Sequence, residues 1–488
     1  MSAPAIESST PTRSAGARPT VAIGVLASCG IVVSLIQTMA VPLLPRFPKI
    51  LSVAPSTAAW LITATLVAGA VSAPVLGRLG DMYGKRRMLL VSLALIVVGS
   101  VLGALAPNFA LLLVARMLQG VSFGVVALGM SLMRDVLPPE KVGGGVGLMS
   151  ASLGIGGAIG LPLTGLVADV FDWRWLFAGV AVVGAVLIVL LRRLVPESAS
   201  RPGGRFDMVG AIGVTVVLVC LLLAISKGTD WGWGSPTVLG LFAAAAVVAL
   251  LWGRHQLRLR QEGRAPMVDL RLAARPPVLM TNLATVCIGF SMFATFLLSV
   301  QILQAPVESG YGSGMSLLAA GVVLLPIGAA MLVFSSASAL ISRVRGPRTT
   351  LVLGTLVLAG GNIGCGFAGG SVAMLVTMAA VASIGATLAY SALPLLIMRA
   401  VPETETAAAN SLNTLMRQLG TSTLSAVVAA VSSALVLDLG GDRIPSAAAF
   451  TVVFVAAGIA GLVGGLIGVL TPSPEDLPEL RAAAAAAA

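Results

Sequence analysis

The chain has 488 residues, of which 57% are hydrophobic and only 10% charged. Soluble domains carry roughly 25% charged residues, so this composition excludes an ordinary soluble protein and reads as an integral membrane protein. The net charge of +11 would suit nucleic acid, but its distribution along the chain assigns it to a membrane surface, and no nucleic-acid partner is expected.

Residues 1–19 are rich in Ser, Pro and Ala, carry Arg13 and Arg18, and read as a short disordered cytoplasmic arm. Hydropathy then predicts fourteen membrane spans, near 20–44, 57–77, 88–106, 109–133, 145–168, 175–194, 207–226, 237–253, 278–300, 314–341, 349–368, 371–397, 407–436 and 447–470. Each is close to the ~20 residues that cross a bilayer as a helix. In the first, Leu26-Ala27-Ser28-Cys29 resembles a lipoprotein processing site with Cys29 as the anchor. The apolar run continues well past Cys29, as a span does and a cleaved signal does not. Gln37 and Thr38 are polar groups near its end.

Between the second and third spans lies Gly77-Arg78-Leu79-Gly80-Asp81-Met82-Tyr83-Gly84-Lys85-Arg86-Arg87, the densest charge cluster of the first half. Its glycines permit a tight turn and close helix packing. Asp81, at the membrane edge, is placed to accept hydrogen bonds from a helix N-terminus and to pair with a nearby Arg. Arg134, at the inner end of the fourth span, is the expected partner. Gly84-Lys85 lacks the spacing and the Ser/Thr of a nucleotide-binding P-loop.

The fourth span carries Arg116-Met117-Leu118-Gln119-Gly120. A lone Arg in a span is costly, and is either functional or satisfied by backbone carbonyls. The fifth reads Gly154-Ile155-Gly156-Gly157-Ala158-Ile159-Gly160-Leu161-Pro162-Leu163-Thr164-Gly165. Gly156 and Gly160, four apart, let a neighbouring helix approach, and Pro162 permits a bend. On the ninth, Phe290, Phe293 and Phe296 recur at three-residue spacing, with Gln301 and Gln304 at the outer end. Such a stripe either lines a cavity or packs. On the thirteenth, Asn410, Asn413 and Arg417 either face a wet cavity or bond across helices, since polar groups avoid lipid.

Lys and Arg are strongly one-sided. With an inner N-terminus, the outer loops hold only Arg46, Lys49, Arg174, Lys227 and Arg443; Arg116 and Arg417 lie within spans, and the rest of the 30 face inward. This asymmetry predicts cytoplasmic N- and C-termini. A loop over 254–277 separates eight spans from six, and 192–207 is a second Pro/Gly/Arg-rich linker. Spans seven and eight then read as an insertion between two sixes. The expected units are a six-helix bundle over 20–194, a linker with two extra spans over 195–277, a second six-helix bundle over 278–470, and a tail over 471–488. A faint repeat relates the sixes: Gly84-Lys85-Arg86 corresponds to Gly346-Pro347-Arg348, and in that register Asp81 falls on Arg343.

Every Asp and Glu lies in a loop or near a span end; Asp81, Asp135 and Asp169 come nearest the interior. No mid-membrane carboxylate offers a proton carrier or a counter-charge for a bound cation. Arg116 and Arg417 tilt the interior positive, so any guest between the helices is expected to be neutral, lipophilic or anionic. Cys29, Cys220, Cys287 and Cys365 are far apart in apolar runs, and His255 is the single histidine. That pattern offers no disulfide framework, no histidine-based metal site and no Ser/His/Asp or Cys/His arrangement, so no enzyme is expected.

Gly77, Leu79, Asp81, Gly84, Lys85 and Arg86 match the loop signature G-x-L-A-D-R-x-G-R-K, and the chain thereby resembles the major facilitator superfamily; Met82 stands where a basic residue is usual. Arg116, Gln119 and Gly120 match that family's R-x-x-Q-G, which implies a role near proton coupling. The glycine-rich fifth span, with Gly156, Gly160, Pro162 and Gly165, resembles the motif of the family's exporters, although Leu161 intervenes before Pro162. Phe171-Asp172-Trp173-Arg174-Trp175-Leu176-Phe177, Arg205-Phe206-Asp207 and Trp231-Gly232-Trp233 resemble the fourteen-helix drug:proton antiporters. Two departures stand out. Ile36 occupies a position where that group often has Asp, and Ala178-Gly179-Val180 replaces an Asn-x-Pro.

The resemblance implies an all-α fold of two six-helix bundles plus two extra transmembrane helices, with spans 1, 4, 9 and 12 around a central cavity. It implies a bacterial inner-membrane exporter of drug-like or lipophilic small molecules, working by alternating access and proton antiport. No cofactor is expected, the proton gradient being the driving force, and the protein is expected to act as a monomer among membrane lipid. In this reading Gly77, Asp81, Gly84, Lys85, Arg86 and Arg134 serve gating. Arg116, Gln119, Gly120, Asp135 and Asp169 serve coupling. Gln37, Thr38, Phe290, Phe293, Gln301, Asn410, Asn413 and Arg417 bind substrate. The alternatives are an exporter of lipids or lipidic metabolites, suggested by the acid-free interior, and a non-transporting sensor, which would call for a soluble effector domain.

Overall fold

A computed structural model of the chain describes residues 19–39, 43, 47–58, 60–198, 203, 205–402, 405–439 and 442–471. The expected N-terminal arm and C-terminal tail lie almost wholly outside these residues. The long helices are α1 (Pro19–Thr38), α2 (Trp60–Tyr83), α3 (Lys85–Ala104), α4 (Phe109–Val136), α5 (Pro139–Val170), α6 (Arg174–Leu194), α7 (Met208–Trp231), α8 (Pro236–Gln261), α9 (Pro276–Gln304), α10 (Leu317–Val344), α11 (Pro347–Gly366), α12 (Val372–Ala400), α13 (Thr406–Ala434) and α14 (Ala447–Leu470). Among the described residues, thirteen are long and apolar enough to cross a membrane; α13 is not among them. Asn410, Asn413, Arg417 and Gln418 dilute its apolar character, and it is tolerated because it packs inside, against α2, α4 and α9.

Two helices are interrupted. A 3-10 turn at Val121–Phe123 divides α4 directly after Gly120, and α10 is broken at Leu324. Pro74, Pro162 and Pro394 sit inside α2, α5 and α12. The hydropathy pattern did not foresee a short antiparallel hairpin, β1 (Val436–Leu439) with β2 (Asp442–Pro445), between α13 and α14. Cys29 is fully buried within the unbroken α1, as a span residue rather than an anchor.

The first six helices and the last six each gather apolar clusters, and the largest of the first bundle also takes in Met398 and Ala407 of the second. They meet along two seams, α2 with α13 and α5 with α10 and α12. The inserted pair is not peripheral to this arrangement. α7 packs on α8 and also against α2 and α13, where Val214, Leu218 and Leu222 join Ala70 and Leu415 in one buried cluster.

The pair is tied down by the Asp207 carboxylate at the start of α7. It accepts hydrogen bonds from Gly210 N–H (2.8 Å), Gln256 Nε2 (2.7 Å) and the backbone of Met267 (3.4 Å), and lies 3.1 Å from His255 Nε2. Burial alone would raise this carboxyl, but those donors outweigh it and hold it below the usual aspartate range. The Trp-Arg-Trp segment fastens the far end of the first bundle. Trp173 meets Phe47 and Phe177 edge-on, and Arg174 donates to Ala106 O at 3.0 Å.

Candidate functional site

At the basic end, the turn between α2 and α3 meets the second bundle. Gly84 takes φ +115°, a conformation that needs glycine, so α2 stops and α3 begins within one residue. Asp81, buried at the end of α2, receives Ala407 N–H on Oδ1 (3.1 Å) and Ala408 N–H on Oδ2 (2.8 Å). These are orphan donors of the first turn of α13, so a carboxylate of one bundle caps a helix of the other. The cation beside Asp81 is Lys85, 3.8 Å away, rather than the expected Arg134. The turn brings Lys85 back over its own helix end, whereas Arg134 faces a cleft on the other seam.

Lys85 is buried and forms a junction. Its Nζ reaches Asp135 Oδ2 at 2.8 Å and Thr406 Oγ1 at 2.9 Å, and Ser198 bonds the same Asp135 carboxylate. Gly77 allows the approach: a Cβ there would lie 2.8 Å from Ala407 O and against the Ser411 side chain. Arg86 points elsewhere, donating to Val195 O at 2.9 Å. Glu197 accepts the N–H groups of Arg86 (2.8 Å) and Arg87 (3.1 Å), so it caps α3. Sequence reasoning missed Glu197, Ser198 and Thr406. The one available signal was Glu197 itself, an acid in the middle of a basic linker.

Arg116 on α4 is 2% exposed and closed off. Its guanidinium donates to Ile36 O (3.0 Å), Gln119 Oε1 (2.8 Å) and Leu61 O (3.5 Å), and Gln119 in turn donates to Ser100 Oγ at 2.9 Å. Gly120 lies flat on α2, where a Cβ would strike Thr65 O and Ala68. Of the two readings of Arg116, the backbone-satisfied one describes its contacts. The glycines of α5 are likewise contact surfaces. Gly156 faces Ile31 O and Ser34 of α1, and Gly160 faces Thr38. Gly165 faces Leu318, and Pro162 meets Gly321, both on α10. The Asp169 side chain lies outside what the structure describes.

A cavity of about 280 Å³ opens between the bundles. Gln37, Thr38, Phe293, Gln301 and Arg417 line it, together with Ser34, Gly157, Phe296, Gln304, Tyr390 and Gln418. The walls are α1, α5, α9, α12 and α13. The expected α4 is not among the described residues of this lining; its Arg116 and Gln119 turn toward α1, α2 and α3. Three expected lining residues are also elsewhere. Phe290 packs with the apolar cluster of the second bundle. Asn410 donates to Ser131 Oγ of α4 at 3.2 Å. Asn413 donates to Asn282 Oδ1 (3.1 Å) and Thr285 Oγ1 (2.6 Å) of α9. Both asparagines therefore bond across helices, one of them across the seam.

Arg417 stands alone among these. Its guanidinium lies 5.5 Å from the Tyr390 ring centroid. Among the described residues no carboxylate, carbonyl or hydroxyl hydrogen-bonds it.

Comparison with known proteins agrees with this architecture. The description Major Facilitator Superfamily matches residues 26–425. An uncharacterised MFS-type transporter of Mycobacterium tuberculosis is 32% identical over 62% of this chain, but the match spans only 42% of that protein's length. The tetracenomycin C resistance and export protein of Streptomyces glaucescens is 33% identical, over 70% of this chain and 61% of that protein. The multidrug resistance protein Stp of M. tuberculosis is 28% identical, over 80% and 72%. In fold, the chain superposes on the human organic anion transporter MFSD10 with a TM-score of 0.64 at 16% identity, over 92% of this chain and 99% of that one.

Proposed function

The chain belongs to the Major Facilitator Superfamily, and on that premise we propose that it is a secondary active exporter of drug-like or lipophilic small molecules. It works by alternating access across a bacterial inner membrane, as a monomer with both termini in the cytoplasm. The observation that carries this reading is the cavity of about 280 Å³, walled by helices of both bundles. A site shared between two rigid halves changes its access when the halves rock. The basic-end junction of Asp81, Lys85 and the first turn of α13 supplies the contact that rocking must break and remake. The export direction rests on the glycine-rich α5 and on relatives named for resistance and export.

Proton antiport is part of the proposal, with Asp135 as the coupling group that faces Lys85. A lipid exporter would need an apolar lateral opening. The gap between α2 and α13 is instead walled by α7, with Ser226 and Asp230 at its edge, which favours the small-molecule reading. The test is accumulation of the neutral dye N-phenyl-1-naphthylamine in everted vesicles with an imposed, interior-acid pH gradient. Gradient-dependent accumulation above that of vesicles lacking the protein supports the proposal. Accumulation that ignores the gradient sinks the coupling, and no accumulation sinks the export of such molecules.

A further inference from the structure

The two intramembrane arginines differ in their partners, and the difference bears on cargo. Arg116 is enclosed by Ile36 O, Leu61 O and Gln119. Arg417 opens into the central cavity, and the Tyr390 ring is its one partner among the described residues. A cation taken out of water without a counter-charge is expensive, and one ring face offsets a fraction of that cost. The rest of the cavity wall does nothing to neutralise it. Gln37, Gln301, Gln304 and Gln418 are uncharged, Phe293 and Phe296 are apolar, and among the described residues no Asp or Glu lines the space.

We propose that the cavity is built for aromatic monoanions, a carboxylate or sulfonate seated on the Arg417 guanidinium with its ring system against Phe293 and Phe296. The planar fork of Arg matches two oxygens of such a group. The glutamine amides bond whatever hydroxyls or carbonyls the scaffold carries. At about 280 Å³ the space lies near the lower end of small-ligand pockets, roughly 300–1,000 Å³, so the cargo is compact. This choice also fits a membrane interior without carboxylates. An inside-negative potential already favours outward movement of an anion, and such a cargo needs no acid to neutralise it. The inference names the cargo of the proposed exporter's own cavity and rests on that reading.

The test is equilibrium binding to the purified full-length chain in lipid nanodiscs, using two probes of one skeleton. These are 1-anilinonaphthalene-8-sulfonate, an anion, and N-phenyl-1-naphthylamine, its neutral counterpart. Wild type is expected to favour the anion after subtraction of empty nanodiscs. Arg417→Gln should weaken anion binding about 10- to 100-fold, the worth of a charge-assisted hydrogen bond, and leave the neutral probe within about twofold. Arg417→Lys, which keeps the charge, should recover part of the loss. Retained binding of the neutral probe shows that the Gln variant is folded. Equal affinity of wild type for the two probes, or undiminished anion binding by Arg417→Gln, overturns the inference. Arg417-dependent anion binding without any vesicle transport would instead remove the exporter reading and leave the anion site standing.

Discussion

Arg116 in the first bundle and Arg417 in the second are the same side chain in the same membrane, and the chain treats them differently. Around Arg116 the Nε and Nη1 groups meet acceptors: backbone carbonyls of α1 and α2, and the Gln119 amide oxygen, whose own amide nitrogen is held by Ser100. Around Arg417 no described residue supplies a hydrogen-bond acceptor, and a cavity takes that place. A buried cation that the protein satisfies belongs to the fold, and one that it leaves facing a cavity belongs to whatever fills that cavity.

Substitution should separate the two roles. Arg116→Gln removes the donor that reaches Ile36 O and Gln119 Oε1, and should lower stability by about 3 kcal/mol, from about 1–3 kcal/mol per buried orphan. Thermal unfolding of the purified protein measures it. Arg417→Gln should unfold at the wild-type temperature or above it, because it removes a charge that no protein group needs.

A second comparison separates the two seams at the basic end. Asp81 closes one by receiving the first N–H groups of α13. Its repeat-related counterpart, Arg343, lines a cleft of about 700 Å³ with Arg134, Arg399 and the first-turn residues Pro139 and Glu140 of α5. A carboxylate complements a helix N-terminus and a guanidinium does not, so one seam is shut where the other gapes. Asp81→Asn should cost the first seam about 1.5–3 kcal/mol, the range for bonds to a charged group. Vesicle transport should fall while the protein still inserts at wild-type levels; normal transport by a well-expressed variant would separate this junction from function.

Arg343→Asp makes the opposite change, placing an acid before a helix N-terminus for about 0.3–1 kcal/mol. It should bias the protein toward the state closed at this end, slow transport a few-fold, and protect a cysteine introduced at Gly144 from a water-soluble thiol reagent. Unchanged labelling would mean that charge does not set the cleft. An effect smaller than that at Asp81 is expected at Asp207→Asn, which weakens the clamp on α7 and α8 by about 1 kcal/mol. Because this carboxyl is held below its usual range, the wild-type advantage should be present above the ordinary aspartate pKa and vanish as pH falls through the depressed one. Paired unfolding curves across pH measure it.

The helices were legible because spans long and apolar enough to cross a bilayer leave little choice of structure, and the one-sided Lys and Arg separate them. Pro162 was readable as a point where a helix can bend, but the break of α10 at Leu324 was not, since nothing in Leu324-Leu325-Pro326 distinguishes it from a helix start. At the basic end the motif pointed to a carboxylate on a helix N-terminus. It could not say which helix, because that depends on how two bundles dock. In the cavity, Gln37, Thr38, Phe293, Gln301 and Arg417 were found from polarity and spacing, whereas Asn410 and Asn413 were assigned to the cavity by the same signal and bond across helices instead. Polarity within a span announces a partner. Whether that partner is Ser131, Asn282 or a cargo is a matter of tertiary geometry.

The most direct test of that distinction is the initial rate of 1-anilinonaphthalene-8-sulfonate uptake into everted vesicles holding equal amounts of wild type or Arg417→Gln, with N-phenyl-1-naphthylamine measured alongside. The account predicts protein-dependent uptake of the anion that falls about tenfold or more in the variant, as loss of a charged hydrogen bond implies, while uptake of the neutral probe persists. Equal anion uptake by the two proteins, or a parallel loss of both probes in a variant that unfolds at the wild-type temperature, would contradict it.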